Sequence, residues 1–164
     1  MTDAVDLLLQ EWARERPDVD CSPIGVVGRV SRLSRILERG VKANFARHGL
    51  VDWEFDVLAT LRRAGEPYQL TMNGILRASM ITSGAVTNRI DRMEARGLVK
   101  RLPAEHDRRS VVVRLTAKGR RLVDEVLPGH VENERRLLAG LSARDEKQLV
   151  GLLRKLLLSL DDTR

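Results

Sequence analysis

Apolar side chains recur along most of the chain at intervals of three and four, the spacing of one face of an α-helix. Over residues 3–16, Val5, Leu8, Leu9 and Trp12 share a side, which predicts a short amphipathic helix ended by Pro17. A second helix is expected to start after Pro23 and to run from about residue 24 to 47, with Val27, Val30, Leu33, Leu37 and Val41 near helical spacing and Gly49 beyond its end. Asp52 is the expected cap of "WEFDVLATLRRA", which Gly65 closes. "EPYQL" reads as a turn leading into a short extended piece. Thr71 then caps "MNGILRAS", and Thr82 or Ser83 caps "GAVTNRIDRMEAR", stopped by Gly97. Two helices separated by a three-residue turn form a helix-turn-helix pattern.

The periodicity then changes. "LVKRLP" and "SVVVRL" are short runs with strand-forming side chains, and in the second Val111, Val113 and Leu115 alternate with Val112 and Arg114. The polar "AEHDRR" that joins them is too long for a two-residue hairpin and reads as a wing. Thr116 caps a long helix that Pro128-Gly129 should kink or split. Ser142 caps a last helix, with Glu146 near the capping-box position and a leucine stripe of Leu149, Leu152, Leu153, Leu156, Leu157 and Leu160 that needs a partner surface. The fold class expected is mainly α (α+β), a winged helix-turn-helix domain flanked by N- and C-terminal dimerisation helices. Residues 1–50 would hold the N-terminal helices, 51–116 the winged domain, and 117–164 the C-terminal dimerisation helices.

Charge sharpens this picture. The 164 residues carry 29 Lys/Arg against 23 Asp/Glu, a net charge of +6. Met80–Arg121 holds eleven of the bases and four of the acids, a net of +7, which leaves the rest of the chain at −1. Positive charge gathered in one segment is an electrostatic footprint for a polyanion. A recognition helix offers its N-terminal residues to base edges in the major groove. Here these are Ser83, Gly84, Ala85, Thr87, Asn88 and Arg89, with Arg92 one turn further on the face shared by Ala85 and Asn88. Asn88 suits adenine, and arginine suits guanine or phosphate. Val86, Ile90 and Met93 make the opposite, buried face. At the wing tip, Arg108 or Arg109 could enter the minor groove while Asp107 orients the other arginine.

These stretches carry a family resemblance. "DRRSVVVRLTAKG" resembles the wing-to-helix signature of the MarR family of winged helix-turn-helix regulators, and "TSGAVTNRIDRMEARGLVKR" resembles that family's recognition helix and following strand. The resemblance spans nearly the whole chain. It implies a homodimer with interleaved terminal helices, two lobes on a palindromic operator in double-stranded DNA, and a small-molecule inducer bound where lobe and dimer region meet. The N-terminal helix with Trp12, the following "RPDVD", "EFDVLATLRRAG" and "TSGAVTNRIDR" are similar to the PecS-like, urate-responsive subgroup. Matched motif by motif, that subgroup's ligand-response residues fall on Trp12, Asp56, Arg89 and Arg101. Met72 and Gly74 depart from the relatives' better helix starters. An aromatic ring can stack on the planar urate anion and arginine can pair with it.

The implied function is a ligand-responsive transcriptional regulator, a repressor by the family's usual mode, released by urate or a related purine. Two alternatives stay open: a repressor answering to phenolic or aromatic carboxylate ligands or antibiotics, and an architectural nucleic-acid binder without inducer. An enzyme is not expected. His48, His106 and His130 are scattered without metal-ligand spacing, and there is no Gly-rich phosphate loop, so no cofactor or metal is called for. Cys21 is the single cysteine and forbids an intrachain disulfide. It lacks the flanking pattern of the wider family's peroxide sensors and reads as an incidental thiol. With no apolar run of membrane-spanning length, a cytoplasmic protein is expected.

Overall fold

The computed structural model describes residues 2–79, 86–104 and 111–162. The chain forms two compact units, Met1–Gly40 and Val41–Arg164. Among the described residues, no helix is long and apolar enough to cross a membrane.

In the first unit, α1 (Ala4–Glu15) is followed by the start of α2 (Ser22–Ala46). Asp3 caps α1 through a capping box: its carboxylate accepts the N–H groups of Val5 and Asp6, while its own N–H donates to Asp6. Arg29 on α2 reaches both carboxylates, at 2.8 Å from Asp3 and 2.5 Å from Asp6. The second helix begins at Ser22, ahead of Pro23 and earlier than the sequence pattern suggests. First-turn N–H groups have no intrahelical acceptor, so proline is harmless there. Val26, Val27, Val30, Leu33 and Ile36 stay exposed on α2.

The second unit holds α3 (Asp52–Arg63), β1 (Gln69–Thr71), α4 (Met72–Ala78), α5 (Val86–Ala95), β2 (Val99–Pro103), β3 (Val111–Leu115), α6 (Ala117–Leu137) and α7 (Ala143–Ser159). The wing strands pair antiparallel, Val99 opposite Leu115 and Pro103 opposite Val111. The extended piece after Tyr68 joins them, with Gln69 opposite Arg114, so the sheet order is β1-β3-β2. The core is built from α3, α4, α5, the sheet and the first half of α6, with Leu58, Leu61, Ile75, Ile90, Met93 and Val126 fully buried. On β3, Val112 and Val113 are both buried and Val111 is exposed, so the strict alternation expected there does not hold.

Two helix caps and one expected helix break differ from the sequence pattern. The N-cap of α3 is Val51, not Asp52; the Glu54 carboxylate accepts the Val51 N–H at 3.1 Å, and Asp52 sits in the first turn. The capping-box partner of Ser142 is Asp145 rather than Glu146. Pro128 and Gly129 lie inside α6, which runs unbroken through them from Ala117 to Leu137. The helix ends marked by Gly49, Gly65 and Gly97 are as expected, each with positive φ. Thr71 and Thr116 cap as expected, through Gly74 and Gly119 N–H groups.

Gly119 answers to a different constraint. A Cβ there would lie 2.0 Å from the carbonyl oxygen of Leu98. The backbone between α5 and β2 therefore touches the first turn of α6, and no side chain fits between them. Gly119→Ala should lower unfolding stability by at least about 2 kcal/mol, read as a fall in melting temperature. Gly129→Ala meets nothing within 4 Å, and should instead stabilise α6 by about 0.5–1 kcal/mol.

Candidate DNA-reading surface and ligand cleft

The described face of α5 divides as its spacing requires. Val86, Ile90 and Met93 are buried, while Thr87, Asn88 and Arg92 are exposed. Of the other residues expected to touch DNA, Ser83 and Ala85 lie outside the described residues, as do Asp107, Arg108 and Arg109 of the wing tip.

Two charged clamps fix α5 on its neighbours. At its C-terminal end Arg96 donates through Nη1 to both oxygens of the buried Glu54, at 2.5 and 2.6 Å, and through Nη2 to the Gly49 carbonyl at 2.9 Å. Glu54 also holds the Val51 N–H, so one carboxylate caps α3 and anchors α5. Arg101 on β2 makes the second clamp. Its guanidinium reaches Glu94 at 2.7 Å and Asp91 at 2.6 Å, both on α5, and donates to the Thr87 carbonyl at 3.3 Å. Its backbone N–H donates to Glu94 at 2.8 Å, and this bond is the main cause holding the Glu94 carboxyl below its ordinary value of 4.5.

The sequence-matched ligand set is distributed as follows. Asp56 on α3 and Arg89 on α5 both line an open cleft of about 710 Å³. Arg101 does not line it and is engaged by Asp91 and Glu94. Trp12 belongs to the first unit, on α1, with 42% of its surface exposed.

The cleft also draws in residues that the motif comparison passed over. Trp53 on α3 lies under Arg89, whose guanidinium carbon is 5.4 Å from the centroid of the Trp53 ring. His130 on α6 packs on Phe45 and Phe55, with both centroid distances 4.8 Å, and its Nε2 is 3.3 Å from Glu134. Its buried Nδ1 has no hydrogen-bond partner among the described residues. Arg62 and Arg63 add positive charge, though Arg62 is paired with Asp124 at 2.8 Å. The signal was present in the spacings Trp53–Asp56–Ala59–Arg63 and Leu127–His130–Val131–Glu134, each one stripe of a helix. Nothing in the sequence tells that the two stripes face one cavity. Aromatic walls beside Arg62, Arg63, Arg89 and the carboxylates Asp52, Asp56 and Glu134 offer a small planar ligand both apolar surface and charged groups of either sign.

The profile of the MarR family matches residues 48–110. The HTH-type transcriptional regulator PecS of Dickeya dadantii is 42% identical over 146 residues, which cover 89% of this chain and 88% of PecS. The chain belongs to the MarR family. It is accordingly a winged helix-turn-helix DNA-binding transcriptional regulator and not an enzyme. A mutant of E. coli MarR, solved in complex with operator DNA, superposes with a TM-score of 0.73 at 25% identity, covering 82% of this chain and 94% of that one. Bordetella bronchiseptica BpsR, whose DNA binding is regulated by 6-hydroxynicotinic acid, superposes with a TM-score of 0.72 at 28% identity, covering 80% and 91%.

The Arg101 clamp yields a pH prediction. A lowered carboxyl value means that Glu94 contributes stability above its unfolded value near 4.5, and that the contribution fades as pH falls through the lowered folded value. The stability gap between the wild type and Glu94→Gln should be constant above about pH 5 and close below it, as read by thermal melts across pH. Hydrogen exchange at the Arg101 amide should quicken in Glu94→Gln at neutral pH.

Proposed function

We propose that this MarR-family regulator is a homodimeric repressor that binds a palindromic operator and is released by a small aromatic anion, urate or a related purine. The observation that carries the reading is Arg89: it belongs to the recognition helix and also lines the cleft with Asp56. A ligand that pairs with Arg89 changes the surface offered to DNA, and its differential affinity for the two arrangements is the coupling. Ser83, Ala85, Thr87, Asn88, Arg89 and Arg92 would face the major groove. Arg108 and Arg109, oriented by Asp107, would face the minor groove. Trp12, Asp56, Arg89 and Arg101 remain the proposed response set, with Arg101 acting from its clamp on α5 rather than from the cleft lining. The similarity to PecS supports the subgroup assignment.

Dimerisation through the terminal helices is supported by their uncovered apolar faces. No residue of α7 is buried, and Leu152, Leu153, Leu156, Leu157 and Leu160 are exposed along it. A helix with such a stripe is stable in water only against a partner surface.

A second reading keeps the operator and changes the inducer to an aromatic carboxylate. It is favoured by BpsR, which answers to a small aromatic acid, and by the same aromatic walls and arginines.

Fluorescence anisotropy on a labelled duplex from the intergenic DNA beside the gene tests both. Operator affinity should fall by at least about a thousandfold between 50 and 200 mM salt, as for a protein making several phosphate contacts. Urate should weaken binding by at least about tenfold in the wild type and not in Asp56→Ala or Arg89→Ala. Equal release of both variants by urate would remove the cleft, and release by 6-hydroxynicotinic acid alone would favour the second reading.

A further inference from the structure

Trp53 lies outside the matched ligand set, yet it is the side chain that Arg89 rests on. The indole is half-buried, packed on the lobe's core, and three residues from Asp56 on the same face of α3. At 5.4 Å from centroid to guanidinium carbon, Arg89 is within cation–π range of the best aromatic partner for it. Trp53 also borders a second cleft of about 680 Å³ that Arg92 and Arg96 line. The indole is thus a wall common to two clefts, each of which takes in arginine from α5. Arg89 is half-buried where its neighbours Asn88 and Arg92 are exposed. Its side chain lies against the indole.

We infer that Trp53 is a positioning residue for DNA recognition: its indole holds Arg89, and through it α5, in the operator-binding posture, and an anion in the cleft acts by drawing the guanidinium off the ring. The release half of this rests on the cleft reading above; the positioning half does not. Ring and anion compete for one cation, so the ring's removal has opposite effects on the two equilibria. Operator binding weakens because Arg89 loses its support. Anion binding strengthens because nothing holds Arg89 back. A ring that merely stacked on the ligand would do the reverse to the anion.

The test is a double-mutant cycle of Trp53→Leu and Arg89→Ala on operator affinity, with Trp53→Phe as a variant that keeps a weaker ring and the core packing. Trp53→Leu should weaken operator binding about threefold per recognition helix. It should have no further effect in the Arg89→Ala background, and Trp53→Phe should fall between. In a Trp12→Phe background Trp53 is the sole tryptophan, and Arg89→Ala should shift its emission. Additive effects of Trp53→Leu and Arg89→Ala, or an unmoved emission, would overturn the proposal. With urate and 6-hydroxynicotinic acid as probes, the half-release concentration should fall in Trp53→Phe and Trp53→Leu. A rise would make the ring a ligand platform and overturn the competition. If neither probe releases even the wild type, the cleft reading fails, and the cycle and the emission shift still decide the role of Trp53.

Discussion

The winged lobe depends on one backbone contact, the approach of Leu98 to the first turn of α6. The Leu98 carbonyl accepts from the Thr116 N–H at 3.1 Å and from the Thr116 hydroxyl at 3.1 Å, and that hydroxyl lies 2.7 Å from the Gly97 carbonyl. Lys118 reaches over to the Arg96 carbonyl at 2.8 Å. The carbonyls of Arg96, Gly97 and Leu98, just past the end of α5, are thereby satisfied by the start of α6, while the Arg92, Met93 and Glu94 carbonyls of α5 accept from the Arg96, Leu98 and Gly97 N–H groups. Because β2 leaves from Leu98 and β3 arrives at Thr116, the same contact fixes the base of the wing. The absence of a side chain at Gly119 is what lets these four elements share one junction.

From that junction the orientation of α5 is determined at three places. Its inner face is buried through Val86, Ile90 and Met93, its C-terminal end is tied to α3 by Arg96 and Glu54, and its outer edge is tied to β2 by Glu94 and Arg101. Breaking a carboxylate as buried as Glu54 from its guanidinium is far costlier than loosening an exposed pair. The C-terminal end of α5 is therefore the fixed point. The N-terminal half, which holds Arg89, is held by apolar burial, by one long hydrogen bond from Arg101 to the Thr87 carbonyl at 3.3 Å and by an arginine lying on an indole, contacts of smaller energy than the buried Glu54 pair. A helix anchored firmly at one end and softly at the other has a direction in which it can be moved.

Much of the architecture was legible because it follows local rules. Thr71, Thr116 and Ser142 cap helices since a hydroxyl there meets an N–H that has no other acceptor. The burial of Val86, Ile90 and Met93 follows from helical spacing alone. The departures arise where a contact beyond the local pattern decides the outcome. Asp52 and Val51 compete for the cap of α3, and Glu54, reaching back from the third helical position, settles it for Val51. Asp145 takes the place expected of Glu146 because it, and not Glu146, stands three residues after the Ser142 cap, where its carboxylate meets the Ser142 hydroxyl at 2.6 Å. Val112 is buried against the alternation of β3 because packing around the strand, not its pleat alone, decides exposure. The cleft was half legible. Asp56 and Arg89 came from motif resemblance, whereas Trp53 and His130 needed the crossing of α3, α5 and α6, a tertiary fact with no local signature.

On the proposed reading, one guanidinium stands between DNA, indole and anion, and weak interactions suffice to make a sensitive device of it. No partner of Arg89 needs to bind it tightly; each needs only to bind it differently in two postures of α5. A differential of 1–3 kcal/mol, within the range of a few arginine contacts to an anion, corresponds to about 5- to 150-fold in operator affinity. Much stronger holding by Trp53 would leave an inducer unable to compete, and much weaker holding would leave the free protein poorly ordered for its operator. A partly exposed cation–π contact lies between these limits, and a buried carboxylate partner of the kind Glu54 gives Arg96 would not. On this argument the strength of the interaction at residue 89, more than the shape of the cleft, sets the range over which the proposed regulator can respond.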